Sequence, residues 1–170
     1  MRFFYILSLI IICGCVSGQR QNEHKQFLIP DPEGFVNDFE SFFSKDQRAK
    51  IIAKLDSVYW VGKVEIGFAT FDSTYASDSL FGEFALQVAK KWGIGSAALH
   101  NGIFICISFQ MKNIQIKTGL GIEKYITDAM VGDVIERVIL PSFRQGKFLE
   151  GVLKAIDEFS RLANIYIKYD

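Results

Sequence analysis

One glycine-punctuated block constrains what this chain can fold into more than any other feature. It runs Lys91-Trp92-Gly93-Ile94-Gly95, then Asn101-Gly102 and the apolar run to Phe109, then Gly119-Leu120-Gly121-Ile122-Glu123, and closes at Thr127-Asp128. Val36-Asn37-Asp38 stands far upstream. Gly102 to Phe109 is the most apolar segment of the domain, as expected for a central strand buried on both faces rather than one facing water. Glycines and short polar residues recur where strands should meet helices. Acidic and amide side chains are therefore expected to gather at one rim of a sheet.

The flanking patterns supply the helices. Ser44-Lys45-Asp46-Gln47 is a capping box, after which Ala49, Ile52, Ala53, Leu55 and Tyr59 suggest one helical stripe that ends near Gly62. Lys63 to Phe71 is β-branched and aromatic, a strand pattern. A second helix starting at Asp78 or Ser79 carries Leu80, Phe84, Val88 and Trp92 inward, and Gly93 stops it. Met111-Lys112-Asn113 reverses the chain into an alternating strand, Ile114 to Lys117, which makes a hairpin. Thr127 should cap a third helix from Asp128 to about Leu140 that turns Met130, Val134, Ile135 and Val138 inward, with Pro141 and Gly146 breaking it. A last helix is expected from about Phe148 to Ile165, with Leu149, Val152, Leu153, Ile156 and Phe159 on one stripe. Helices on a mixed sheet imply an α/β fold, a single three-layer α/β/α sandwich.

The N-terminus reads differently. Arg2 precedes an apolar run, Phe3 to Ile12, interrupted only by Ser8. At about 10 residues this is half of the roughly 20 that a membrane span needs, and it fits a secretion signal. Ile12-Cys13-Gly14-Cys15 reads as a lipobox: residues 1–15 are expected to be a signal peptide, with Cys15 becoming the lipidated N-terminus. An ordinary secretion signal with incidental cysteines is the alternative. Residues 16–33 are polar, carry Pro30 and Pro32, and read as a tether, with His24 a solvated tether residue. The domain is expected over 34–166, outside the cytoplasm and facing the periplasm or exterior. Cys106, left alone after processing, is expected to be a small buried hydrophobe.

Charge excludes one class of partner. The chain carries 19 basic and 19 acidic residues, and removing Arg2 with the signal leaves 18 against 19. So neutral a chain lacks the basic footprint of a nucleic-acid binder. Organic cofactors find no signature either. Gly93-Ile94-Gly95 is not followed by Gly-Lys-Ser/Thr, and Gly119-Leu120-Gly121 lacks the third glycine of a dinucleotide fingerprint. Neither a Gly-x-Ser-x-Gly elbow nor cysteine-based zinc spacing occurs. Oxygen donors remain at the expected element ends: Asp38, Asn101, Glu123 and Asp128. Hard cations take six to eight oxygens, which loops at one rim can supply. Spacing alone favours the plainer reading, with Asp128 a helix-start carboxylate, Asn101-Gly102 a turn and Glu123 surface.

The pieces taken together resemble the TPM domain, a small α/β module of envelope and thylakoid-lumen proteins. The matching segments are Val36-Asn37-Asp38, Trp92-Gly93-Ile94-Gly95, Asn101-Gly102, Gly119-Leu120-Gly121-Ile122-Glu123, Thr127-Asp128 and Pro141-Ser142-Phe143-Arg144-Gln145-Gly146. They cover about Phe35 to Leu162. The resemblance implies a divalent-cation site, since some relatives look like cation binders with acidic loop residues around the ion. Plant lumenal relatives are described as acid phosphatases with a role in photosystem II repair, which implies phosphomonoester hydrolysis as the alternative activity; a structural adaptor without metal is the third reading. The metal set so implied is Asp38, His100, Asn101, Glu123 and Asp128. Where the family has Asp before Asn-Gly, this chain has His100, which removes a hard oxygen donor; Ca²⁺ remains the expected ion, with Zn²⁺ or Mn²⁺ gaining if His100 is a ligand. The expected partners are the membrane, through the N-terminal lipid, and an unidentified envelope protein or membrane complex. The only cations among the motifs that could assist phosphate chemistry are Lys124 and Arg144.

Overall fold

The computed structural model describes residues 27–62, 64–95 and 97–169, so the signal segment, Cys15 and His24 lie outside the described residues. Four strands form one sheet in the order β1 (Val36–Asp38), β2 (Glu65–Thr70), β3 (Gly102–Ser108), β4 (Asn113–Thr118). β1 runs parallel to β2 and β2 to β3, while β4 returns antiparallel to β3 as the expected hairpin. β1 carries no strand pattern in three residues, and its pairing with Phe68 to Thr70 is a tertiary fact.

The side-chain period of two in β2 and β3 divides the core. Ile66, Phe68, Ile103, Ile105 and Ile107 face a layer made by α1 (Lys45–Gly62), α3 (Asp128–Val134) and α5 (Phe148–Tyr169). Ala69, Phe71, Phe104 and Cys106 face α2 (Phe81–Trp92), entered through a 3₁₀ turn at Asp78–Leu80. The result is the three-layer α/β/α sandwich. All seven residues of β3 are buried, which is why its sequence is apolar up to the closing Ser108.

Local signals explain most element ends. The capping box forms in full: Gln47 N–H donates to Ser44 Oγ at 3.2 Å, and Ser44 N–H to Gln47 Oε1 at 2.9 Å. Gly93 closes α2 in the left-handed region (φ 63°), its N–H bonded back to Lys90. Thr127 caps α3 by accepting from Met130 N–H.

Four expectations need correction. In α1 the buried stripe is Ile51, Leu55 and Val58, whereas Ile52 and Tyr59 are each 43% exposed and Ala49 and Ala53 lie outside. The Ile51-Ile52 pair fits either of two neighbouring stripes, and contact with α5 and the sheet selects the first. Pro141 does not break the third helix. α3 passes through a π segment (Ile135–Ile139) into α4 (Leu140–Arg144), where Pro141 sits in the first turn, and Gly146 (φ 74°) ends the run. A proline ring collides with the carbonyl four residues back in a regular α-helix, and the wider π turn just before it relieves that clash. The last helix extends past Ile165 to Tyr169. Finally, residues 27–33 do not behave as tether. Phe27 packs edge-on against Phe84 at 5.3 Å, and the Pro30 carbonyl accepts from Trp92 Nε1 at 2.8 Å. Lys91 bonds both the Ile29 carbonyl and the Asp31 carboxylate.

Candidate functional site, a cationic cleft at the end of β4

The strand register separates the expected site residues into two groups. Asp38 pairs with Thr70, and Thr70 with Ile107, at the C-terminal ends of the parallel strands. Asn101 precedes Gly102, which pairs with Glu65 at the opposite ends, where β4 also finishes at Thr118 beside Ile103. At about 3.3 Å per residue these rims lie roughly 20 Å apart. The expectation of one common rim is therefore corrected: the hairpin sends Glu123 back to the His100–Asn101 end, and Asp38 stays at the other.

At its own rim Asp38 is a structural carboxylate, with its side chain 1% exposed. Oδ1 accepts from Thr70 Oγ1 at 2.7 Å and Phe42 N–H at 3.0 Å. Oδ2 accepts from Phe43 N–H at 2.9 Å and, at 3.4 Å, from Arg48. Glu40 does similar work for the β3–β4 hairpin, accepting from Phe109 N–H, Gln110 N–H and Ser108 Oγ. Asn37, inside the first motif, accepts from Glu33 N–H and donates to the Gly34 carbonyl. Neither role shows in the sequence, because each partner is set by tertiary approach. Asp128 lies exposed in the first turn of α3, where a carboxylate complements the positive helix end.

The other rim holds a cleft of about 510 Å³ between the C-terminal half of α2 and the end of β4. That volume falls within the range of small-ligand pockets. Its ionisable lining is Lys90, Lys117, His100 and Glu123, with Leu86 and Leu120 at its sides. Asn101 is buried beside it. The floor is nearly bare backbone: a Cβ on Gly102 would come within 2.1 Å of the Ile94 carbonyl oxygen, and one on Gly119 within 2.2 Å of that of His100. Gly119 N–H bonds the Gly102 carbonyl and Gly121 N–H the His100 carbonyl, so the segments 93–95, 99–102 and 119–121 lie in direct contact. The glycine block of the sequence exists for this approach. His100 itself is left-handed (φ 47°), a conformation that histidine tolerates better than most residues.

The structure thus joins His100, Asn101 and Glu123 at one cleft and leaves out Asp38 and Asp128. It adds two cations that sequence reasoning missed. Lys117 belongs to a strand whose alternation marks it only as outward-facing, and Lys90 sits in the last turn of α2, where a cation is ordinary. Lys124 lies over the Tyr125 ring and Arg144 at the end of α4, neither in the cleft lining. Among the described residues no three His, Cys, Asp or Glu side chains come together as a group that could hold a metal ion.

A mixed four-stranded sheet covered by helices, with a glycine-floored cleft beside β4, defines a small α/β domain. The chain belongs to the TPM domain family, whose profile it matches over residues 36–162. Solved structures agree on the fold. The N-terminal domain of a protein from P. gingivalis is similar with a TM-score of 0.68 and 23% identity, covering 79% of this chain and 84% of that one. BA42 from the psychrophilic bacterium Bizionia argentinensis gives 0.62 and 19%, covering 75% and 86%. The N-terminal domain of a Corynebacterium glutamicum protein gives 0.58 and 18%, covering 81% and 87%. No curated protein matches the chain.

Proposed function

We propose that this TPM domain is a binding module of the cell envelope whose cleft takes a small anionic group of the phosphate class. One observation carries the reading: two lysines and a histidine face a single carboxylate, Glu123, around a glycine floor that leaves room for a ligand. Lysine binds phosphate as a point charge, without demanding the planar geometry that arginine imposes. The lipobox at Ile12 to Cys15 supports a lipid-anchored protein at the envelope, where it could also dock a membrane partner.

The test is thermal unfolding against inorganic phosphate and glycerol 2-phosphate. A ligand bound only by the folded state adds RT ln(1 + [L]/Kd), about 2.7 kcal/mol at a hundredfold excess over Kd. The expected result is a saturable rise in Tm that Lys90→Gln with Lys117→Gln removes; a flat titration of the unsubstituted protein overturns the reading. Phosphate release from p-nitrophenyl phosphate, lost in Glu123→Gln, would make the module a phosphatase. A divalent cation is the second reading, favoured by His100 and Glu123 lining the same cleft. It predicts that Zn²⁺ or Mn²⁺ raises Tm more than Ca²⁺ does, and that His100→Ala abolishes the difference.

A further inference from the structure

We infer that the mouth of this cleft is a membrane-docking face, with the cleft receiving the phosphate headgroup of an anionic phospholipid and the surrounding leucines entering the bilayer surface. The inference rests on the anion reading above and names its ligand class. Two exposed leucines from different segments stand at the cleft, Leu120 at 77% exposure and Leu86 at 40%, and Leu99, 49% exposed, lies on the adjoining segment 99–102. Leu86 of α2 and Leu120 of the glycine loop line the cleft itself. The backbone of Leu99 abuts the same loop: its carbonyl oxygen lies 1.8 Å from where a Cβ on Gly121 would be. A single exposed leucine is ordinary; two at one charged opening, with a third on the adjoining segment, form a patch that asks for a cover.

The charges inside say what kind of cover. Among the described residues the Lys90 ammonium has neither ion pair nor side-chain hydrogen bond, and Lys117 donates only to the neutral Gln115 amide, at 3.2 Å. Lys91, one residue on, is already held by Asp31 and the Ile29 carbonyl, and does not line the cleft. Glu123 is the one carboxylate present. An apolar rim around a cationic interior matches the layering of an anionic bilayer, whose phosphates attract lysine while the region below takes leucine. Free phosphate would satisfy the lysines and leave the leucines in water.

The experiment is co-sedimentation of the full chain with phosphatidylglycerol vesicles and with phosphatidylcholine vesicles. The second value records what the N-terminal apolar segment contributes without anionic lipid. The expected result is preferential binding to phosphatidylglycerol, reduced about tenfold in the Leu99→Gln/Leu120→Gln double variant, the size expected of two partly inserted leucines. Equal binding to both vesicles beside a normal phosphate response would overturn the membrane inference and leave the cleft reading intact. Preference for phosphatidylglycerol that survives the leucine changes, or survives Lys90→Gln/Lys117→Gln, would place lipid binding elsewhere and overturn it too. Equal vesicle binding with no phosphate response removes both readings.

Discussion

The Asp38 carboxylate and the Thr70 hydroxyl meet at 2.7 Å across neighbouring parallel strands, and through this contact the end of β1 is fastened to the end of β2. The same carboxylate collects two backbone N–H groups of the loop leading to α1 and the Arg48 guanidinium. Asp38→Asn places an amide donor among donors and removes the ion-pair partner of Arg48, which keeps its bond to the Phe43 carbonyl. We expect a loss of about 2–4 kcal/mol, read as a lower urea midpoint at unchanged slope. The phosphate response should survive in whatever fraction remains folded, because the cleft lies at the opposite rim. Loss of ligand response without loss of stability would contradict this assignment.

The division between what the chain announces and what it conceals follows from range. The capping box, Gly93 and the apolar run of β3 act over a few residues, so their sequence signals match the structure. Rim membership is different. Whether Asp38 and Asn101 share an end depends on strand direction and register, and a motif cannot state either. The α1 stripe failed on one ambiguous isoleucine pair, settled only by what α1 packs against. Lys90 and Lys117 were invisible as a pair because 27 positions of chain separate a helix residue from a strand residue that α2 lays side by side.

Two glycines test the close-approach argument from opposite sides. At Gly121 an added methyl would sit 1.8 Å from the Leu99 carbonyl oxygen, a backbone atom that cannot swing away. Gly121→Ala should cost about 2 kcal/mol or more and displace the cleft floor, weakening phosphate binding as well. Gly132, inside α3, has nothing within 4 Å of the same methyl. Gly132→Ala should therefore stabilise the protein, by about 0.5–1 kcal/mol, through helix propensity. Thermal melts of the two variants would have to move in opposite directions.

Cys106 lies in the middle of β3, fully buried among Ala69, Phe71 and Phe104. Burial pushes its thiol pKa well up; the nearby Lys117 charge pulls the other way, and Glu40 adds slightly to the rise. Only the thiolate is nucleophilic, so the native protein should leave this residue unalkylated. With iodoacetamide at pH 8, peptide mapping should find Cys106 unmodified in buffer and modified in urea. Cys106→Ser should cost about 1–3 kcal/mol, since it buries a hydroxyl in an apolar layer.

Acid should weaken the outer surface of α5 first. Glu158 accepts from Arg161 Nη2 at 2.6 Å and Nε at 2.9 Å, and that hydrogen bonding holds its carboxyl below the ordinary glutamate value against a small opposing effect of burial. Glu150 is lowered likewise by its hydrogen bond and charge contact with Lys154. A group with a depressed folded pKa binds fewer protons folded than unfolded near that range. Its stabilisation is present in full above the ordinary glutamate pKa of about 4.3 and drains away as pH falls through the lower folded value. The Glu158–Arg161 pair is a surface contact screened by solvent, so its share is small. Urea midpoints measured at pH 6 and pH 3.5 should therefore differ less in Glu158→Gln than in the unsubstituted protein. The substitution should lower stability more at pH 6 than at pH 3.5, because acid removes what the carboxylate contributes; the reverse order would mean that α5 draws nothing from this pair.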